Sequence, residues 1–327
     1  MTNPKRVIID TDPGIDDALA ILLALASPEL QIEGLATVSG NGTVEVTTRN
    51  ALAILELGGH PEIPVFQGAG VPLIQPLLIA SDTHGDFGLG YANLPEPHQS
   101  PRPQPAVQFL IDTVLANPDE ITIIAIGPLS NLALAIRLEP NFAPAVRDLI
   151  IMGGAIRHGG NQTPQAEFNT YCDPHAAHIV FHSGIPITLV PLDVTYQTLL
   201  TRQDVARLLE IASPISTFVE QSTRFYMEYH HTHQSLEGCV INDPLAICLA
   251  FAPGLVDLQT LYVDVDISNG VSLGKTFADF FNILNQPPNM HVALGVRDRD
   301  YIELVLERLA VLCRSHPSPE QPGKIGK

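Results

Sequence analysis

The chain has 327 residues and 45% hydrophobic content, enough for a large core in one or two domains. Its net charge of -18, with only 17 Lys and Arg residues scattered along it, excludes the clustered basic surface that nucleic acid requires. Only 16% of residues are charged, which argues against long disordered stretches.

The apolar run Val7-Ile8-Ile9 predicts a strand. It leads into Asp10-Thr11-Asp12-Pro13-Gly14-Ile15-Asp16-Asp17, a tight turn, and then into a helix-like apolar run over 18–26. A second strand is expected over 32–38, a turn at Asn41-Gly42-Thr43, and a helix over 47–57. Residues 71–90 and the Pro-rich stretch 94–105 predict an extended irregular region of the kind that forms lids. A continuous β-branched run over 120–126 ends in Gly127-Pro128, after which Ser130 or Asn131 is expected to cap a helix through Leu138. Short strands follow over 149–152 and 186–192. Asp173-Pro174 between them has the look of a helix cap with Pro at the first position. Residues 261–267 alternate apolar and acidic side chains, which suits a more exposed strand.

Alternating β and α elements predict an α/β fold, an open and mostly parallel sheet with helices on both faces. The polar turns fall repeatedly at the carboxyl ends of the strands, where ligands bind in such sheets. No internal repeat or linker divides the chain, so one domain over 1–314 is expected, with a frayed tail over 315–327. Cys172, Cys239, Cys248 and Cys313 show no CxxC spacing and read as thiols of a reducing compartment. Residues 1–6 carry no secretory pattern and the run 18–26 is too short to span a bilayer, so a cytoplasmic protein without a membrane partner is expected.

Four carboxylates within eight residues are costly unless something positive neutralises them, and a hard divalent cation held by oxygens is the simplest neutraliser. Helix capping by Asp16 or Asp17 explains one or two of the four acids. It leaves Asp10 and Asp12 unexplained. A DxD after a strand also occurs in haloacid-dehalogenase-like phosphatases and in some glycosyltransferases, so DxD alone does not decide. A phosphatase would need a lysine at a strand end, for which Lys275 is the candidate. The adjacent Asp-Asp opening a helix points away from both.

With that pair in place, DTDPGIDDALA resembles the N-terminal motif of the nucleoside hydrolase family, of the inosine-uridine-preferring type. Val38-Ser39-Gly40-Asn41, Ile126 to Asn131, Ile151 to Gly154, Ala166 to Asn169 and Asn242-Asp243-Pro244 match in order, so the resemblance extends from Val7 to about Leu312. It implies an N-ribohydrolase that cleaves ribonucleosides with calcium, as a homodimer or homotetramer. It implies that Asp12, Asp17, Asp243 and the carbonyl of Ile126 hold the ion. Asp12 would act as general base, Asp16 would hold a ribose hydroxyl, and Asp10 would support the others. Asn41, Asn161, Glu167 and Asn169 would line the ribose site, with Met152 near its 5′ end and Phe168 as an apolar wall.

The chain departs from the family pattern at Asn242. Many members carry His there, where it can protonate the leaving base; Asn donates a hydrogen bond but is no general acid. A ribosyl-binding homologue without turnover, or one of altered specificity toward a related ribosyl-like N-glycoside, is the alternative this departure keeps open. His84, in the lid region, is the candidate acid. Tyr226 and Tyr229 could face the base or pack. His230, His231 and His233 could suggest a transition metal, but solvated polar histidines explain such spacing better. The chain has no Trp, so base stacking falls to Tyr, Phe or His.

Overall fold

The apolar β-branched runs form strands buried on both faces. In the computed structural model, which describes residues 3–317, the strands are β1 (Lys5–Thr11), β2 (Leu30–Thr37), β3 (Val65–Gln67), β4 (Thr122–Ala125) and β5 (Asp148–Met152). They continue as β6 (Ile187–Val190), β7 (Val256–Leu261), β8 (Val263–Val265), β9 (Thr276–Ala278) and β10 (Met290–Val296). The helices are α1 (Ile15–Leu25), α2 (Val44–Leu57), α3 (Ser81–His84), α4 (Ala106–Ala116), α5 (Ser130–Leu138), α6 (Phe142–Ala145) and α7 (Phe168–Cys172). They end with α8 (Pro174–Phe181), α9 (Leu192–Thr195), α10 (Arg202–Leu209), α11 (Pro214–Gln234), α12 (Asp243–Leu249) and α13 (Asp298–Ser315).

Eight strands form one sheet in the order β3-β2-β1-β4-β5-β6-β10-β7. Every pair in it is parallel except β10 with β7. The period-2 alternation of the strands divides the core. Val7, Ile9, Ile124 and Ile150 pack on the side of α1, α12 and α13. Ile8, Ile123, Leu149 and Ile151 pack on the side of α4, α5 and α8. Each fully buried Ile or Leu stabilises the fold by about 1.5–3 kcal/mol, which makes the strand ends a rigid base for the loops above them.

Three local expectations change. The strand expected over 261–267 is broken at Tyr262: β7 ends at Leu261, and β8 pairs with β9 in a separate two-stranded sheet. The Tyr262 carbonyl accepts from Asp279 N and the Val263 N–H donates to Asn289 Oδ1, so the chain exchanges partners there. Neither Ser130 nor Asn131 caps α5. Leu129 occupies the N-cap, and both polar side chains reach away, Ser130 Oγ to Asp173 and Asn131 Nδ2 to Asp10. Asp173 does cap α8, accepting from Ala176 N at 3.0 Å, with Pro174 in the first turn. Of the tail expected over 315–327, Ser315 closes α13; residues 318–327 lie outside the described residues.

Candidate active site

The sheet reverses its winding between β1 and β4, so the loops leaving these neighbours run to opposite faces and open a crevice at their carboxyl ends. The acidic turn leaves β1 at that point, and Ile126 leaves β4 beside it, its N–H donating to the Asp10 carbonyl at 2.8 Å. Asp17, in the first turn of α1, accepts from the N–H groups of Asp12 and Gly14, from Thr11 Oγ1 at 2.6 Å and from Asn41 Nδ2 at 2.8 Å. The capping expectation for this helix is therefore met by Asp17, which also folds Asp12 back into the turn.

Asp12 is fully buried. Its Oδ2 accepts from the Asn41 N–H at 2.7 Å, while its Oδ1 has no partner. Gly40 and Gly127 press on opposite oxygens of this carboxylate. A Cβ at Gly127 would stand 2.5 Å from Oδ1, and one at Gly40 would overlap Oδ2. Asp10 lies beneath; its Oδ2 accepts from Asn131 Nδ2 at 2.9 Å and its Oδ1 is unpartnered. Asn131 also donates to the Thr37 carbonyl and accepts from the Ala69 N–H. Asn131→Ala removes three bonds from a buried site and is expected to destabilise the protein by about 2–4 kcal/mol in urea unfolding; a loss under 1 kcal/mol would deny Asn131 this supporting role.

Asp16 faces outward from α1. Its Oδ2 accepts from Asn242 Nδ2 at 2.9 Å, from the Asn242 N–H and from the Tyr226 hydroxyl, both at 3.3 Å. Asp243 begins α12 and is buried beside it. Carboxylate oxygens of Asp16, Asp17 and Asp243 converge to within 4.8 Å of one another. The crowding shows in the titration of these groups. Burial pushes Asp10 up to about 7, and burial with the Asp16 charge pushes Asp17 up to about 6. Burial and the neighbouring acids push Asp12 and Asp243 well above the carboxylate range. No Lys or Arg lines the cavity among the described residues.

One cavity gathers the residues singled out in the sequence. Asp16, Asn41, His84, Ile126, Met152 and Asp243 line it on one side. Asn161, Glu167, Phe168, Asn169, Tyr229 and Asn242 complete the wall. Asp12 and Asp17 lie just below its surface. Glu167 caps α7 and accepts from the Gly154, Asn169 and Thr170 N–H groups. Asn169 Nδ2 donates to the carbonyls of Ile126 and Met152, and Asn161 Oδ1 accepts from the Phe168 N–H.

The irregular region holds the short helix α3, and Ala80, Thr83 and His84 from it reach the cavity. His84 Nδ1 accepts from the Ile15 N–H at 3.0 Å at the start of α1. Tyr226, Tyr196, Gln234 and His230 also line the cavity. Tyr226, Tyr229, His230 and Gln234 recur at helical spacing on one face of α11, a signal that the His230-His231-His233 grouping obscured. The structure separates that grouping. His230 is buried, whereas His231 is exposed beside Glu237 and His233 is bonded to the Tyr229 carbonyl. Lys275, the lysine a phosphatase would need, spends its Nζ on the carbonyls of Ala155 and Ile156. His178, His182 and Asp264 form a second convergent group away from this cavity, with the imidazoles 2.8 and 3.1 Å from the carboxylate.

A switch-point crevice floored by buried acids and walled by amides and aromatics is the ligand site of an open α/β sheet and a potential metal site. Residues 7–303 match the sequence profile of the inosine-uridine preferring nucleoside hydrolase family, and the chain belongs to it. It is an N-ribohydrolase, an enzyme that cleaves the N-glycosidic bond of ribonucleosides. It is 39% identical over 304 residues to the pyrimidine-specific ribonucleoside hydrolase RihA of Salmonella gallinarum, covering 93% of this chain and 97% of that one. The purine-preferring ribonucleoside hydrolase from Gardnerella vaginalis superposes with a TM-score of 0.91 at 34% identity, over 95% of this chain and all of that one. A plant nucleoside hydrolase superposes with a TM-score of 0.89 at 38% identity, over 94% and 99% of the two chains. The haloacid-dehalogenase and non-catalytic readings fall with these matches. Among the described residues no helix is long and apolar enough to cross a membrane.

Proposed function

We propose that the protein hydrolyses ribonucleosides to ribose and nucleobase with calcium as its metal, and that Asp12 is the general base. The observation that carries this is the partnerless, buried Oδ1 of Asp12 near the buried acids Asp16, Asp17 and Asp243, with no Lys or Arg lining the cavity among the described residues. Oxygen donors alone, hard and anionic, suit calcium better than a transition metal. Asp12, Asp17, Asp243 and the Ile126 carbonyl are the residues that would hold it. When bound, calcium supplies neutralising charge for these carboxylates and Lewis-acid polarisation of oxygens.

The chain's own residues supply the rest. Asp16, on the cavity wall, is oriented by Asn242 and Tyr226 so that its other oxygen is left to accept from a ribose hydroxyl. Asn41, Asn161, Glu167 and Asn169 offer acceptors and donors for the remaining sugar hydroxyls, while Met152 and Phe168 exclude water from the sugar edge. Departure of the base leaves positive charge on the ribosyl ring, as in glycoside hydrolysis generally. The surrounding carboxylates favour that charge. Asp12 Oδ1 takes a proton from the water that attacks C1′. Asn242 orients Asp16 and supplies no proton.

Tyr226→Phe is expected to lower kcat/KM for a ribonucleoside about 5–15-fold through loss of one hydrogen bond to Asp16. Unchanged kinetics would remove Tyr226 from this role. The relatives named for pyrimidine and for purine nucleosides leave both base classes as substrates to be tested on a panel. A cytoplasmic setting is supported by four buried, unpaired cysteines. The homodimer or homotetramer implied by the family is read out by sedimentation equilibrium.

A further inference from the structure

The hydrolase reading leaves one proton unassigned, the one that the departing base must receive if it is not to leave as an anion. Asn242 cannot give it. The Tyr226 hydroxyl is committed to Asp16, and burial pushes this phenol well up. His84 is locked in its neutral form by geometry. Its Nδ1 accepts from the Ile15 N–H, so protonating Nδ1 would set two N–H groups face to face and break that bond. Its Nε2–H is a hydrogen-bond donor, and the sequence-based assignment of His84 as the acid does not suit this ring.

His230 is built differently. Its Nδ1 lies 2.9 Å from the carbonyl of Tyr226, one turn earlier on α11. A carbonyl only accepts, so Nδ1 carries hydrogen in both charge states of the ring. The proton that comes and goes therefore sits on Nε2, which has no hydrogen-bond partner among the described residues. The ring is 3% exposed, lines the cavity, and is held edge-on by Tyr226 and Tyr229 at centroid distances of 4.4 and 5.7 Å.

Resting on the hydrolase reading, we propose that His230 is the proton donor to the leaving nucleobase, through Nε2 to a ring nitrogen or exocyclic oxygen of the base. The C1′–N bond breaks and its electron pair goes to the base, which takes the Nε2 proton and leaves His230 neutral. Water adds to C1′ and gives its proton to Asp12. That proton returns to His230 through solvent, so one water is consumed per turnover. The groups facing His230 set its availability. Asp16 from α1 favours the imidazolium and His84 from α3 opposes it; Asp243 from α12, Tyr226 and Tyr229 from α11 and Tyr196 after α9 line the same cavity. Burial pushes the imidazole down, against the Tyr226 carbonyl and Asp16. A proton donor shifted this way is lost as pH rises through a value below the usual histidine range.

The test is steady-state hydrolysis of uridine, inosine and p-nitrophenyl riboside by the calcium-loaded enzyme and by His230→Gln. Nitrophenolate leaves without protonation. The expected result is a fall in kcat on the nucleosides of about 10²–10³-fold and a change on the nitrophenyl riboside of less than about threefold. The wild-type protein carries a second readout, independent of how the variant folds. Its kcat for the nucleosides should fall as pH rises through that value, below the usual histidine range, and its kcat for the nitrophenyl riboside should not. Equal losses on both substrate types, or a wild-type decline over that pH range common to both, overturn the assignment of His230. Turnover of the nitrophenyl riboside with none of any nucleoside in wild type overturns it as well. Absence of turnover with every riboside overturns the hydrolase reading beneath it.

Discussion

Asp12→Asn is expected to lower kcat on any ribonucleoside by about 10³–10⁴-fold while leaving the fold intact. The substitution keeps shape and retains an oxygen for the Asn41 N–H, which donates to Asp12 Oδ2 at 2.7 Å. It removes the basic Oδ1. Burial and the charge of Asp17 already push the Asp12 carboxyl well up, so in chelator the variant should unfold at the same temperature as wild type or higher. The sign follows from linkage: a group whose folded pKa exceeds its unfolded value weakens the fold once pH rises above that unfolded value, and a neutral amide lifts the penalty. Activity lost without stability lost is the signature expected. A kcat within tenfold of wild type would remove Asp12 from the proton transfer.

Asp243→Ala carries the second large effect, on metal binding. Asp243 comes from far along the chain yet its carboxylate converges with Asp16 and Asp17. Losing it opens the oxygen set at the floor of the cavity. Calcium at a hundredfold excess over its Kd stabilises a folded protein by about 2.7 kcal/mol, a rise in Tm of about 4 °C for a chain of this size. Wild type should show that rise in a thermal scan with and without calcium. Asp243→Ala should show almost none, and titration calorimetry should give an affinity weakened by about 100-fold or more. A calcium-dependent Tm shift equal to that of wild type would exclude Asp243 from the ion's ligands.

Much of this was legible in the residues. The β-branched runs announced β1, β4, β5 and β6 because strands buried on both faces need continuous apolar sequence. Asp10 to Asp17 announced a site because helix capping accounts for only one or two of so many like charges. What was hidden depends on through-space arrangement. Ser130 and Asn131 looked like helix caps, and no local rule shows that Asp173 and Asp10 lie within their reach. The break at Tyr262 comes from Asp279 and Asn289, which are distant in sequence. His84 reads as the candidate acid, and no local rule shows that its Nδ1 accepts from the Ile15 N–H, a bond across 69 positions. His230 looked like one of three polar histidines, although the spacing of Tyr226, Tyr229, His230 and Gln234 already placed it on a shared helical face. Glu167 reads as a sugar contact; in the fold it caps α7 and lines the cavity at once.

The most direct measurement is ribose released from a panel of purine and pyrimidine ribonucleosides by the enzyme, first with calcium and then after exhaustive chelation. The account predicts steady release of ribose and free base in equal amounts, abolished by chelation and restored by calcium. Binding of nucleosides without release, or release that persists undiminished in chelator, would contradict it.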